Sequence, residues 1–362
     1  MTEHIKRTVL QRLGCITLDR PRALNALSLD MIRAITADLC MLRDDDAIDL
    51  VVIRSSLGRA FSAGGDIRFF HALGHATPSG GSAALEDFFT EEYALNHLIH
   101  HYPKPTIALM DGVVMGGGMG ISQGSRTLGA RIVTERTKMA MPEVNIGLFP
   151  DVGGSYFLPR ARGRIGWYLA LTGHIIGGAD AVFAGLADAL VPFEQHPALL
   201  EALAEAGDAW RAVITEASTT SRTLESIGNA PVAREAAQIE RHFSQDSVAG
   251  ILASLAADDS DFAREALTSM RKRSPMMLAV TFEQLTRGAT LSLADCLRME
   301  RGMVRQCFMR GEVIEGIRAA VIDKDDAPRW EPATLAEVSD ALVDWFFAPV
   351  WPPAAHPLRH LD

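Results

Sequence analysis

Thr106-Ile-Ala-Leu-Met110, followed after a short turn by Met115-Gly-Gly-Gly-Met-Gly120, is the stretch on which the fold turns. The five apolar residues come just after Pro103 and Pro105, which end the preceding helical pattern, and they read as a short buried strand. The glycine triplet Gly116–Gly118 then leads into a helix. Working outward, the same order recurs: Leu50–Ile53 is a buried strand, and the loop Gly58-Arg-Ala-Phe-Ser-Ala-Gly-Gly-Asp66 follows it. Val9–Leu18 reads as a strand pair turning near Arg12–Gly14. Ser28 caps a helix whose apolar positions Leu29, Ile32, Ile35, Leu39 and Leu42 recur at helical spacing. Glu86–His101 reads as a helix and Arg131–Thr134 as a strand. Short strands alternating with helices predict an α/β fold.

Composition bounds the rest. The chain has 362 residues, enough for one large domain or two, with 48% hydrophobic residues. Lys and Arg number 35 against 45 Asp and Glu, a formal charge of −10 without a basic run, so a nucleic-acid partner is not expected. Cys15, Cys40, Cys296 and Cys307 form no CxxC pair, which excludes a zinc ribbon or a dithiol redox site. No apolar run reaches the length of a membrane span, and the opening residues show no signal-peptide pattern. A cytoplasmic protein with no membrane partner is expected. Near residue 195 the composition shifts to Ala, Glu and Arg. This predicts an α/β core over residues 1–195 and a mostly helical region over 196–362.

Several clusters could do chemistry. The loops at Ala63–Asp66 and Gly116–Gly118 each follow a strand, so each could offer a backbone N–H to a developing oxyanion, or simply pack as a tight turn. Glu143 and Asp151 lie in one Pro/Gly-punctuated loop, where two carboxyls could share acid–base work, or one could cap a helix and the other open a turn. Gly120-Ile-Ser122-Gln-Gly124 has the spacing of a nucleophile elbow, but Ser122 falls a turn inside the predicted helix. His97, His100 and His101, and the pair His71 and His75, share helix faces yet lack the local Glu of a metal-binding helix, so no metal is expected. Asp44–Asp46 lacks the glycine and terminal Glu of a calcium loop.

Taken in order, Gly58-Arg-Ala-Phe-Ser-Ala-Gly-Gly-Asp-Ile67, Lys104-Pro-Thr-Ile-Ala-Leu109, Met115-Gly-Gly-Gly-Met-Gly120 and Pro142-Glu143 resemble the crotonase (enoyl-CoA hydratase/isomerase) superfamily. Glu91-Glu-Tyr93, Ile146-Gly-Leu-Phe-Pro-Asp-Val-Gly-Gly-Ser-Tyr-Phe-Leu-Pro159, Ser274-Pro-Met276, Leu297-Arg-Met-Glu300 and Glu315–Lys324 resemble its 3-hydroxyisobutyryl-CoA hydrolase branch. The resemblance covers roughly residues 8–330 and implies a ββα spiral core with a helical C-terminal region. It implies that the amides of Gly65 and Gly117 form an oxyanion hole. Glu143 would act as general base or as nucleophile through a mixed anhydride, and Asp151 would bind the substrate hydroxyl or orient the attacking group. Glu92 is implied as a substrate contact, and Ser62, Ala63, Asp66 and Ile67 as the lining of the coenzyme A path.

The expectation is thus a thioesterase for a short branched β-hydroxyacyl-CoA. It needs no cofactor, since coenzyme A arrives with the substrate, and a homo-oligomer stays open. Family hydratases pair Glu143 with a Glu two residues after the glycine triplet; here that position is Gly120. Gln123 replaces a His common in the branch, in a segment 123–129 longer than the branch pattern. The rivals are an enoyl-CoA hydratase/isomerase working through Glu143 alone, a serine hydrolase at Ser122, and a coenzyme A binder without turnover.

Overall fold

The computed structural model describes residues 2–78, 81–219 and 221–362. Contacts divide the chain into two compact units, each assembled from three segments. Residues 1–65, 94–140 and 175–234 form the first, and residues 66–93, 141–174 and 235–362 form the second.

The first unit holds the sheets. Strands β1 (Ile5–Leu10), β2 (Leu13–Leu18), β3 (Leu50–Ser55), β4 (Ala60–Ser62), β5 (Thr106–Met110), β6 (Val113–Met115), β7 (Ala130–Val133), β8 (Lys138–Ala140), β9 (Ile176–Gly177) and β10 (Ala189–Leu190) run in chain order. Six pair as β1-β2-β3-β5-β7-β10 and four as β4-β6-β8-β9. In the larger sheet β1 is antiparallel to β2, and the pairings from β2 onward are parallel. Parallel strands covered on both faces are apolar throughout. That is why Thr106–Met110 is buried at every position.

The expected hairpin at Val9–Leu18 is present, but its turn falls at Gln11 and Arg12 rather than at Arg12–Gly14. Gln11 adopts φ +52, the left-handed conformation that a tight hairpin requires. Ser28 caps the helix Leu29–Arg43 as expected, accepting the Met31 N–H. Leu13, Leu50, Val52, Ile107, Leu109 and Ile132 on one sheet face pack with Leu199, Leu203, Trp210 and Ile214. Those last four sit on helices His196–Ala206 and Trp210–Ser218. The first unit therefore continues past the change of composition near residue 195, because their apolar face is what closes the sheet.

The second unit contains none of the ten strands. Serine N-caps punctuate its helices: Ser247, Ser260, Ser274, Ser292 and Ser339 each accept a backbone N–H from the first turn. The helices Pro275–Gly288 and Leu293–Arg310 flank the segment that carries Asp151. Gln284 of the first donates to the Pro150 carbonyl at 2.6 Å and to Ser155 Oγ at 2.8 Å.

Candidate functional site

In the first unit the two glycine loops come together. Asn25 donates its side-chain amide to the Phe61 carbonyl at 3.0 Å, and Ser62 Oγ donates to the Asn25 carbonyl at 2.9 Å. Leu27 N–H bonds the Gly64 carbonyl at 2.7 Å and Ala63 N–H the Leu24 carbonyl at 3.0 Å, which fixes the path of the first loop. Gly64 has φ +97, and a Cβ there would lie 3.1 Å from the Met115 carbonyl and 3.5 Å from the Gly117 nitrogen. Only glycine lets the two loops approach so closely. Gly117 is the first residue of the helix Gly117–Gln123, so its N–H has no carbonyl a turn earlier to bond.

Of the residues expected along the coenzyme A path, Ser62 is fully buried, with both hydroxyl bonds internal. Ala63, Gly65, Asp66 and Ile67 are half-buried. In the second unit, Asp66 Oδ1 caps the helix Ile67–Ala76 by accepting the Phe69 N–H at 3.3 Å.

The second unit gathers carboxyls. Glu92, Glu143, Asp151 and Glu300 are all buried, Glu300 completely. Glu143 opens the 3-10 turn Glu143–Ile146, which ends at Gly147 with φ +70. Asp151 opens a second turn, in which Val152 and Gly153 are both left-handed at φ +53 and +90. A β-branched residue pays for that conformation in strain, and such strain clusters at functional sites.

Tyr93 donates its hydroxyl to Asp151 Oδ2 at 2.7 Å. Glu92 Oε1 and Glu143 Oε2 are buried without a protein partner among the described residues. Burial pushes the Asp151 carboxyl up to about 6, while the Tyr93 hydroxyl and a backbone N–H hold it down. Glu92 and Glu143 are driven well above the usual carboxylate range, first by burial and then by the charge of Asp151. Burial also raises Glu300, to about 8. Carboxyls that oppose one another's ionisation share their protons as a group. Such a group holds at once a base to accept a proton and an acid to deliver one.

Capping and turn-opening do not account for both carboxyls. Glu143 does open a turn, but the following helix is capped at Gly153 and not by Asp151. Ser122 lies inside the helix Gly117–Gln123, fully buried, with its hydroxyl on the Met119 carbonyl at 3.0 Å. That is not the strand-to-helix turn of a nucleophile elbow. His101 Nδ1 lies on the His97 carbonyl, and His71 stacks on His75. Among the described residues no three His, Cys, Asp or Glu are grouped to hold a metal. No described helix is long and apolar enough to cross a membrane.

Two members of the cluster, Tyr93 and Glu300, belong to the branch motifs in the sequence but carry no expected chemical role there. Glu300 had a signal. It falls on the face of Leu293–Arg310 that buries Leu293, Leu297, Val304 and Cys307, and an acid on an apolar stripe is the informative exception.

Residues 13–347 match the enoyl-CoA hydratase/isomerase family. A Xenopus tropicalis protein named 3-hydroxyisobutyryl-CoA hydrolase, mitochondrial, is 40% identical over 96% of this chain and 91% of its own. The human protein of that name is 38% identical over 94% of this chain and 88% of its own. Those mitochondrial relatives overturn the cytoplasmic placement expected from the opening sequence. Among solved structures, a carnitinyl-CoA dehydratase from Mycobacterium thermoresistibile superposes with TM-score 0.88 at 38% identity, covering 97% of this chain and 98% of its own. An enoyl-CoA hydratase from Rhodobacter sphaeroides 2.4.1 gives 0.86 at 39%, covering 96% and 98%. With fold, strand-end glycine loops and chain-length similarity in agreement, this chain belongs to the enoyl-CoA hydratase/isomerase family, on the branch of the 3-hydroxyisobutyryl-CoA hydrolases.

Proposed function

We propose that this protein hydrolyses the thioester of a short branched β-hydroxyacyl-CoA, 3-hydroxyisobutyryl-CoA, to the free acid and coenzyme A, a step of valine breakdown. The observation that carries the reading is the burial of Glu143 and Asp151 in one carboxyl cluster while position 120 is glycine. A hydratase of this family needs its second acid at that position. Here the second acid comes from the 151 turn instead. Relatives named as hydrolases along nearly their whole length support the same choice, whereas the two solved structures compared above are named as a dehydratase and a hydratase.

In this proposal the amides of Gly65 and Gly117 polarise the thioester carbonyl and hold the negative charge that develops on its oxygen. The Glu143/Asp151 pair accepts the proton of the attacking water, directly or after carboxylate attack through an anhydride. As the C–S bond breaks, the shared proton of the cluster neutralises the leaving thiolate, giving the acid and free thiol. Glu92 and the half-buried residues Ala63, Asp66 and Ile67 contact the substrate. No additional cofactor is required, because coenzyme A is part of the substrate.

The test is free-thiol release from 3-hydroxyisobutyryl-CoA, with Glu143→Gln beside the wild type. A loss of about 10²–10⁴-fold is expected for the variant. Ultraviolet loss of the crotonyl-CoA double bond without thiol release would assign the chain to the hydratases instead.

A further inference from the structure

Glu300 lies behind the 151 turn. Its two carboxylate oxygens accept the N–H groups of Gly153 and Ser155, each at 2.8 Å, and its side chain is fully buried. The turn it grips holds Val152 at φ +53, a conformation that a valine leaves readily unless its surroundings enforce it. Asp151 sits at the start of that turn, and its carbonyl accepts the Gly154 N–H at 2.8 Å. Backbone direction at residues 152–155 therefore sets where the Asp151 side chain meets the Tyr93 hydroxyl.

We propose that Glu300 is a positioning residue for thioester hydrolysis, its carboxylate clamping the Val152–Gly153 turn so that Asp151 is presented to the reacting group. It acts through Asp151 and touches no substrate in this account. The inference rests on the proposed hydrolase function. The ionisable groups that feel Glu300 are Asp151 beside the turn, Glu143 on its own turn, Tyr93 on the helix Ala83–His100 and Cys296 one helical turn away. The charge on Glu300 raises Glu143, so removing that charge moves the Glu143 titration down.

The experiment compares the wild type, Glu300→Gln, Glu300→Asp and the double variant Val152→Gly with Glu300→Gln. Thiol release is followed from pH 5 to 9, and carboxyl protonation is read independently from the infrared C=O band during pH titration. A misplacement of this kind costs up to about 10²-fold in rate. For Glu300→Gln, kcat falls at least tenfold, KM changes little, and the carboxyl bands that remain titrate at lower pH. Val152→Gly restores a large part of kcat in the Glu300→Gln background, since glycine holds φ +53 without a clamp.

A folded Glu300→Gln with unchanged kcat and titration overturns the proposal, and so does failure of Val152→Gly to rescue. Should Glu300→Gln not fold, Glu300→Asp carries the test: it keeps the charge but withdraws the oxygens by one methylene, and wild-type kcat there also overturns it. If the wild type itself releases no thiol, the proposed function has failed. The infrared titration and the rescue of thermal stability by Val152→Gly then still decide whether Glu300 holds the turn.

Discussion

Tyr93 and Asp151, 58 residues apart in the chain, meet through a 2.7 Å hydrogen bond that favours the ionised form of the acid. Burial alone pushes Asp151 upward, and the Tyr93 hydroxyl is the first influence opposing it, leaving the carboxyl at about 6. Burial also raises the tyrosine, so its hydroxyl stays protonated and keeps donating. Tyr93→Phe should therefore move the acid limb of the kcat/KM profile from near pH 6 to higher pH. A hydrogen bond to a charged group is worth roughly 1.5–3 kcal/mol, or about one to two pH units. Thiol release at pH 6 should drop by more than at pH 8. An unmoved acid limb would mean that Asp151 is not the group that must be ionised.

The same cluster costs the fold stability in alkaline solution. Glu300 titrates at about 8 when folded, and Glu92 and Glu143 lie well above the unfolded carboxylate value. Between about pH 4.3 and 8 the folded chain binds more protons than the unfolded one, so the unfolding free energy falls as pH rises through that window. Glu92→Gln should remove part of this slope, raising stability at pH 8 by more than at pH 5. Thermal unfolding at the two pH values checks it. An equal change at both would show that Glu92 carries no pH-linked penalty.

How much of this could be read from the chain depended on the range of the interaction. The Ser28 cap and the strand Thr106–Met110 rest on neighbouring residues, and the structure has them where local pattern puts them. The hairpin moved because one non-glycine residue, Gln11, takes the left-handed conformation. Glu143 and Asp151 could be named but not joined, since two left-handed turns lie in the segment between and beyond them. Glu300 carried an acid on an apolar stripe, but its partners at Gly153 and Ser155 are 147 and 145 residues away. Composition near residue 195 likewise marked where strands cease, not where the sheet's covering helices end.

Gly118 tests the contact between the two glycine loops. A Cβ there would sit 2.6 Å from the Ser62 carbonyl, a backbone atom that cannot swing aside. Gly118→Ala should lower stability by about 1–3 kcal/mol, as overpacking does. Thiol release should fall further than the fraction of unfolded protein explains. Urea unfolding and activity of the folded fraction measure the two effects, and an unchanged urea midpoint would contradict the close approach.

Ser122→Ala separates the thioesterase reading from a serine mechanism. The hydroxyl bonds only the Met119 carbonyl among the described residues, at 3.0 Å and out of solvent. Losing it should cost about 0.5–1.5 kcal/mol and leave thiol release within twofold. Abolished turnover in a folded variant would move the nucleophile to Ser122.

The separation of 147 positions between Gly153 and Glu300 also sets an order of events during synthesis. At roughly 5–20 residues per second, the turn behind Asp151 leaves the ribosome on the order of ten seconds before its clamp is made. Until then Val152 has no carboxylate to hold it left-handed. A message cut short before the helix Leu293–Arg310 would still encode Glu92, Glu143 and Asp151, yet its product would lack the carboxylate that grips their turn. Premature termination ahead of codon 300 is thereby tied to the centre that codons 92–151 encode.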